Sequence, residues 1–90
     1  MRGEGVEASQ EAIGEKVVAI AERLMSEHRL TGEAGLDAPI GEEGLGFDSM
    51  GRLELYAAVE RECGVKIPEK YWGGKRVRDL RELIRVAAPA

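Results

Sequence analysis

Apolar residues recur at three- and four-residue steps in three stretches of the chain, and this spacing predicts three amphipathic helices. The first helix is predicted over 9–28, with Ser9 as its N-cap. The second is predicted over 49–62 and the last over 76–87. No stretch shows a convincing strand pattern.

Glycine and proline punctuate the second half of the chain. Gly64 is predicted to end the second helix, and Pro89 to end the last one. Pro68 is expected to start one short helical turn, which Gly73 and Gly74 break. The sequence therefore predicts an all-α, four-helix bundle, with three long helices and one short helix.

The connection between the first two helices, over 29–48, is long and rich in glycine. Loops of this length in compact domains are usually functional or pinned by their own apolar contacts. We expect four loop residues to reach the core: Leu36, Ile40, Leu45 and Phe47. From the first helix we expect these core residues: Ile13, Val17, Ile20, Ala21 and Leu24, broadened by Val18 and Met25.

The second helix carries two adjacent apolar lines. One consists of Leu55, Val59 and Cys63; the other consists of Met50, Leu53 and Ala57. The pattern leaves open whether the second line is core or borders a pocket or a partner surface. The polar residues Arg52, Glu60 and Arg61 are predicted to face solvent.

Composition bounds the chain to one small domain. Its 90 residues are divided here into a flexible N-terminus at 1–8, a domain at 9–87 and a tail at 88–90. One cysteine excludes an intrachain disulfide, and neither a signal peptide nor a membrane span is predicted. We expect a cytoplasmic monomer that does not bind membranes.

The net charge of −4 is unevenly distributed. Residues 33–48 contain five acidic side chains and no lysine or arginine, whereas residues 64–90 contain seven basic and three acidic ones. The acidic stretch favours a positively charged partner near Ser49. The basic residues are interpreted as the solvated face of the last helix, and no nucleic-acid binding is expected.

Ser49 stands at the predicted start of the second helix, and on composition it is most simply a helix N-cap, as is Asp48. A serine nucleophile needs a base within hydrogen-bonding reach. The single histidine, His28, is interpreted as an ordinary residue of the first helix's last turn. Metal-site and phosphate-loop spacings are absent, so we predict no catalytic residue, no metal and no enzymatic activity.

The segment LGFDSMGRLELYAAVERECGVKIP resembles the phosphopantetheine-attachment segment of acyl carrier proteins. The family pattern is L-G-x-D-S-[LM], an amphipathic helix with E-L, and then G-[IV]-x-I-P. The matching residues are Leu45, Gly46, Asp48, Ser49, Met50, Glu54, Leu55, Gly64, Val65, Ile67 and Pro68. The stretch KRVRDLRELI is similar to the family's last helix, so that the resemblance covers about 12–86.

The resemblance implies that Ser49 is a substrate and not a nucleophilic catalyst. A phosphopantetheinyl transferase would attach 4′-phosphopantetheine from coenzyme A to Ser49, with Asp48 and Gly46 beside it. Acyl-loading and chain-processing enzymes would be the other partners. The implied partner-binding residues are Met50, Arg52, Leu53, Glu54 and Ala57.

The second helix has two basic and three acidic residues. It is therefore less anionic than the corresponding helix of a typical fatty-acid carrier in the family that the chain resembles. This difference favours polyketide or other specialised fatty-acyl biosynthesis. Two alternatives remain open. One is a peptidyl carrier of a nonribosomal pathway, although Phe47 stands where such carriers usually have glycine. The other is an unmodified helical module that binds a partner through Met50, Leu53 and Ala57.

Overall fold

The first helix, α1 (Arg2–Glu27), is longer than the sequence predicts. The computed structural model describes residues 2–73 and 77–89, and for residues 2–11 the backbone alone. The predicted start at Ser9 is wrong, since Ser9 lies inside α1. Residues 2–8 contain no proline that would stop the helix from beginning earlier.

The end of α1 is fixed by a turn that carries no glycine. Arg29 adopts a left-handed conformation (φ 59°). Its N–H donates to the carbonyl of Ser26 at 3.1 Å, and the N–H of Leu30 donates to the carbonyl of Met25 at 2.8 Å. These two bonds form a Schellman motif, which satisfies the last carbonyls and turns the chain away from the axis.

The second helix, α2 (Ser49–Cys63), confirms the predicted element. Gly64 ends it as expected, in a left-handed conformation (φ 66°) that glycine adopts without steric cost. A 3₁₀ turn (Glu69–Tyr71) then follows Pro68, as predicted. Trp72 closes this turn by packing edge-to-face on Tyr56 and by donating from Nε1 to the carbonyl of Ile67 at 3.0 Å.

The last helix, α3 (Leu80–Val86), is shorter than predicted. The predicted start at 76 lies outside the described residues, and 77–79 are not helical. Asp79 caps α3 by accepting from the N–H of Glu82 at 2.8 Å, and the Glu82 carboxylate accepts from the N–H of Arg78 at 2.7 Å. This reciprocal arrangement resembles a capping box and sets the start at Leu80.

A small antiparallel sheet is the feature that the helical prediction misses. Strand β1 (Val65–Lys66) pairs with β2 (Ala88–Pro89), with Val65 opposite Pro89. The prediction that the chain has no strands is therefore wrong. Each strand has two residues, too few to show the period-two alternation by which strands are recognised.

The core lies between α1, α2, α3 and the long loop. α1 packs against both α2 and α3, and the loop inserts its apolar side chains from the side. The fully or almost fully buried residues include Val17, Ile20, Ala21, Leu24, Ile40, Leu45, Phe47, Leu55, Val59, Ile67, Val77, Leu80 and Leu83. Most of the predicted core is thus confirmed, whereas Ile13, Val18, Leu36 and Cys63 are half-buried.

The long loop is held by backbone hydrogen bonds as well as by burial. Ile40 donates to the carbonyl of Arg78 at 2.9 Å, and Phe47 donates to the carbonyl of Ile40 at 3.0 Å. Gly44 approaches Pro39 so closely that a Cβ on Gly44 would lie 2.0 Å from the Pro39 carbonyl oxygen. The loop is therefore a fixed platform that presents the start of α2.

Candidate functional site

Asp48, not Ser49, caps α2. The backbone of Asp48 is extended (φ −83°, ψ −171°), and its Oδ1 accepts from the N–H of Gly51 at 2.7 Å. A Cβ on Gly51 would lie 3.0 Å from Phe47 Cδ1 and 3.2 Å from Asp48 Oδ1, so glycine gives the cap its room. Ser49 is the first helical residue and is exposed. The interpretation of Ser49 as the cap is wrong.

A groove of about 470 Å³ runs beside Ser49. Its walls come from the long loop, the first turn of α2 and the segment before α3: Pro39, Gly41, Glu42, Glu43, Phe47, Asp48, Ser49, Arg52, Val77 and Arg78. Glu42 and Glu43 are exposed. The groove thus combines the acids of the loop with Arg52 and Arg78, and the Ser49 residue is part of its wall.

The two apolar lines of α2 have different surroundings. Leu55 and Val59 are buried in the core. Met50 is 75% exposed, Leu53 is 39% exposed, and Ala57 is exposed as well. The question that the sequence left open is thereby answered: Met50, Leu53 and Ala57 are not core residues. They form an apolar surface line that begins beside Ser49, and we call it the α2 surface line.

His28 has a contact that its position in the sequence does not reveal. It lies just beyond α1, and its Nε2 is 2.6 Å from Oε1 of Glu54 on α2. Both side chains are exposed. Together with Asp48 and Gly51, His28 lines a small cavity of about 150 Å³. The expectation of an ordinary last-turn residue is therefore incomplete, because His28 bridges α1 to α2.

Arg52 and Glu60 are half-buried and act within the fold, so the prediction that they face solvent is wrong. Arg52 donates from its Nη1 to the carbonyl of Val77 at 2.8 Å. Glu60 accepts from the N–H of Ile67 at 2.7 Å. These side chains satisfy backbone groups of segments that have no regular secondary structure, as buried polar groups require. Arg61 is exposed, as predicted.

Gly46 adopts a left-handed conformation (φ 95°) in the loop just before Asp48. Its N–H donates to the carbonyl of Gly41 at 2.8 Å, and its Cα faces the side chain of Leu30. Gly46 thereby lets the loop turn into the cap of α2. Its assignment to a cofactor site stays a prediction.

Cys63 lies at the other end of α2 from Ser49 and is half-buried. Burial raises the pKa of its thiol, an effect that nearby Lys16 partly opposes. The thiol is thus protonated at neutral pH and is a slow nucleophile.

No cluster of three or more His, Cys, Asp or Glu side chains in the described part of the chain has the arrangement of a metal site. None of the helices in residues 2–73 and 77–89 is both long and apolar enough to cross a bilayer.

Comparison of the chain with protein-family models, with curated proteins and with solved structures finds no match. The site consists of an exposed hydroxyl-bearing residue at the capped start of a helix, a groove lined by two arginines and three carboxylates, and an exposed apolar line.

Proposed function

We propose that this chain is an acyl carrier protein whose Ser49 is the attachment point of a 4′-phosphopantetheine arm. The observation that supports this proposal most is that Ser49, the first residue of α2, is exposed directly after the capping Asp48. This arrangement occurs in the segment whose sequence resembles the attachment segment of that family. When bound, the arm supplies the thiol on which acyl groups are held as thioesters.

The surroundings of Ser49 suit a covalently attached phosphodiester. The N-terminal end of a helix carries a partial positive charge that stabilises an anion placed there. Arg52 and Arg78 line the adjoining groove and add positive charge beside the carboxylates of Glu42, Glu43 and Asp48 in the same wall. Arg52 donates to the carbonyl of Val77, and this hydrogen bond holds the segment before α3 against α2 on one side of the groove.

The attachment needs no catalytic group of this chain. The Ser49 oxygen forms a bond to the pantetheine-bearing phosphorus of coenzyme A, the pyrophosphate bond breaks, and adenosine 3′,5′-bisphosphate leaves. A separate phosphopantetheinyl transferase supplies the base that takes the serine proton. On this proposal the chain is not itself an enzyme, and the 3₁₀ turn with α1, α2 and α3 corresponds to the four-helix arrangement of carrier domains.

The partner surface is the α2 surface line with the acidic residues around it. Met50, Leu53 and Ala57 provide apolar area, and Glu42, Glu43 and Glu54 provide negative charge. Such a surface suits partners that present basic residues around an apolar contact. The acyl-loading and chain-processing enzymes of a polyketide or other specialised fatty-acyl pathway are the partners proposed.

The test is intact-mass spectrometry after incubation with coenzyme A and a broad-specificity phosphopantetheinyl transferase. The wild-type chain should gain the mass of one phosphopantetheine. The Ser49→Ala variant should gain none. Ser26→Ala is the matched control, because Ser26 is also exposed but lies near the end of α1, and it should be modified like the wild type.

The outcome decides between classes of protein. No mass gain, from folded protein and a transferase that modifies a known carrier, would contradict the proposal. It would favour an unmodified module that binds a partner through the α2 surface line. If the arm is attached, loading by an adenylating enzyme with an amino acid would instead identify a peptidyl carrier.

A further inference from the structure

A second cavity, of about 700 Å³, lies at the end of α2 that is remote from Ser49. Ser49 and Cys63 are the two ends of a 15-residue helix, so they are separated by about 20 Å along its axis. Its lining includes Ile13, Leu36, Cys63, Arg81, Ile84 and Arg85. We call it the distal cavity.

The interior of the distal cavity is apolar. α1, α2 and α3 each contribute aliphatic side chains, and Val65 and Pro89 of the small sheet form part of the wall. Ile13, Leu36 and Ile84 are half-buried, so apolar area remains open to a ligand. Volumes of about 300–1,000 Å³ are typical of sites that bind small molecules.

The charged groups of the distal cavity all have one sign. Arg81 and Arg85 are its charged lining residues, and no acidic side chain is among the lining residues that the structure describes. This asymmetry is notable in a chain whose net charge is −4. An apolar interior with cationic side chains complements a molecule that has a hydrocarbon chain and an anionic head.

The present partners of the two arginines are exchangeable. Arg81 pairs with Asp37 at 2.6 Å, with side chains that are 62% and 78% exposed. Arg85 lies 3.7 Å from Glu82, and it too is largely exposed. Exposed ion pairs contribute little free energy, because water already solvates both charges. An anionic headgroup can therefore replace these carboxylates at small cost.

From these contacts we infer that the distal cavity binds a single-chain carboxylate amphiphile without a covalent bond. The hydrocarbon chain packs against the half-buried Ile13, Leu36 and Ile84, and the carboxylate accepts from Arg81 and Arg85. This site does not depend on Ser49 or on its modification. It would let the chain respond to free long-chain acids at a place separate from the proposed attachment point.

Cys63 provides a reporter inside the site. It is the single cysteine of the chain and lines the distal cavity. The rate of its alkylation by N-ethylmaleimide, measured by intact mass, should fall when dodecanoate fills the cavity. At ten times its Kd a ligand leaves about one site in eleven open, so the rate should fall roughly tenfold. The measurement uses Ser49→Ala protein, so that no arm can contribute.

Two sets of variants test whether dodecanoate protects Cys63 by binding in the distal cavity. Gly14→Leu should fill the cavity from α1, since a Cβ on Gly14 would make an ordinary 3.9 Å contact with Leu36. It should remove the effect of dodecanoate, with folding checked by circular dichroism. Arg81→Gln with Arg85→Gln should weaken binding several-fold. Arg29→Gln with Arg61→Gln is the control pair of equal charge change, because both residues are exposed and neither lines the cavity.

The charge of the ligand's headgroup and the location of its binding site are tested by separate comparisons. Dodecyltrimethylammonium, with the same chain and a cationic head, should protect Cys63 far less than dodecanoate. Equal protection by the cation would overturn the assignment of an anionic ligand. No protection by dodecanoate, or equal protection in folded Gly14→Leu protein, would overturn the cavity as the binding site.

Discussion

At the scale of single residues, Asp48 decides where α2 begins. Its carboxylate satisfies the N–H of Gly51, one of the donors that the first turn of a helix leaves without a partner. This leaves the residue that follows, Ser49, as the first residue of the helix, where its side chain is exposed. The cap and the proposed modification site are thus adjacent residues with different tasks.

Replacing Asp48 should cost stability in proportion to this one hydrogen bond. Asp48→Ala is expected to lower the free energy of unfolding by about 1 kcal/mol, the usual loss for an N-cap. Urea denaturation followed by circular dichroism measures it. Glu43→Ala, an exposed acid of the same loop, should change the value by less than about 0.5 kcal/mol. Equal losses in both variants would mean that the loop's charge, and not the cap, is responsible.

Several polar side chains could not be assigned from their own neighbourhood in the sequence. Arg52, Glu60 and His28 each bind a residue from a different segment, namely Val77, Ile67 and Glu54. Helical periodicity identifies which face a residue occupies, but it does not identify what packs on that face. Asp79 and Glu82 differ, because their three-residue spacing is a recognisable capping signal and could have placed the start of α3.

At the scale of elements, α2 could be predicted almost completely, because its cap, its apolar spacing and its terminal glycine agree. What its sequence left undecided was the environment of its two apolar lines. That environment is set by α1 and the long loop, which cover Leu55 and Val59 and leave Met50 and Leu53 exposed. The residues around Ser49 could thus be identified from the sequence, but the exposure of Met50 and Leu53 could not.

The two lines of α2 should differ in their contribution to stability. Leu55→Ala should lower the free energy of unfolding by about 2–5 kcal/mol, because it opens a cavity in the core. Leu53→Ala should change it by no more than about 0.5 kcal/mol, since Leu53 is a surface residue. Urea denaturation of both variants gives the comparison. A loss of several kcal/mol for Leu53→Ala would mean that Leu53 is a core residue, contrary to its place in the α2 surface line.

Replacing two glycines of the long loop with alanine should affect stability differently. Gly44→Ala would place a methyl group against the Pro39 carbonyl, so a loss of about 1–3 kcal/mol is expected. Gly35→Ala is the matched control, because no atom lies within 4 Å of its Cβ position. Thermal unfolding measures both. Equal midpoints would show that the loop moves aside, contrary to the fixed platform described above.

At the scale of the whole molecule, two exposed ion pairs join segments that are distant in sequence. Arg23 donates two hydrogen bonds to Glu62 and links α1 to α2. Arg81 links α3 to the long loop through Asp37. The hydrogen bonds from these arginines hold the pKa values of Glu62 and Asp37 below their ordinary ranges. The folded chain therefore keeps both carboxylates charged at a lower pH than the unfolded chain does.

This difference predicts how acid affects stability. The contribution of Glu62 is present above its ordinary carboxyl pKa and is lost as the pH falls through its lowered folded value. Arg23→Gln should thus be less stable than the wild type at about pH 6 and approach it at about pH 3. Urea midpoints over this range measure the effect. Arg29→Gln is the control, because Arg29 is exposed and is not among the charges that act on Glu62 or Asp37; a constant offset for Arg23→Gln would contradict the prediction.

The edge-to-face packing of Trp72 on Tyr56 also makes the protein its own optical probe. The chain contains one tryptophan, and its ring centroid lies 5.4 Å from that of a fully buried tyrosine. The environment of the Trp72 ring therefore changes when the 3₁₀ turn leaves α2. The intensity and colour of the tryptophan emission report the position of this turn, without any dye or label.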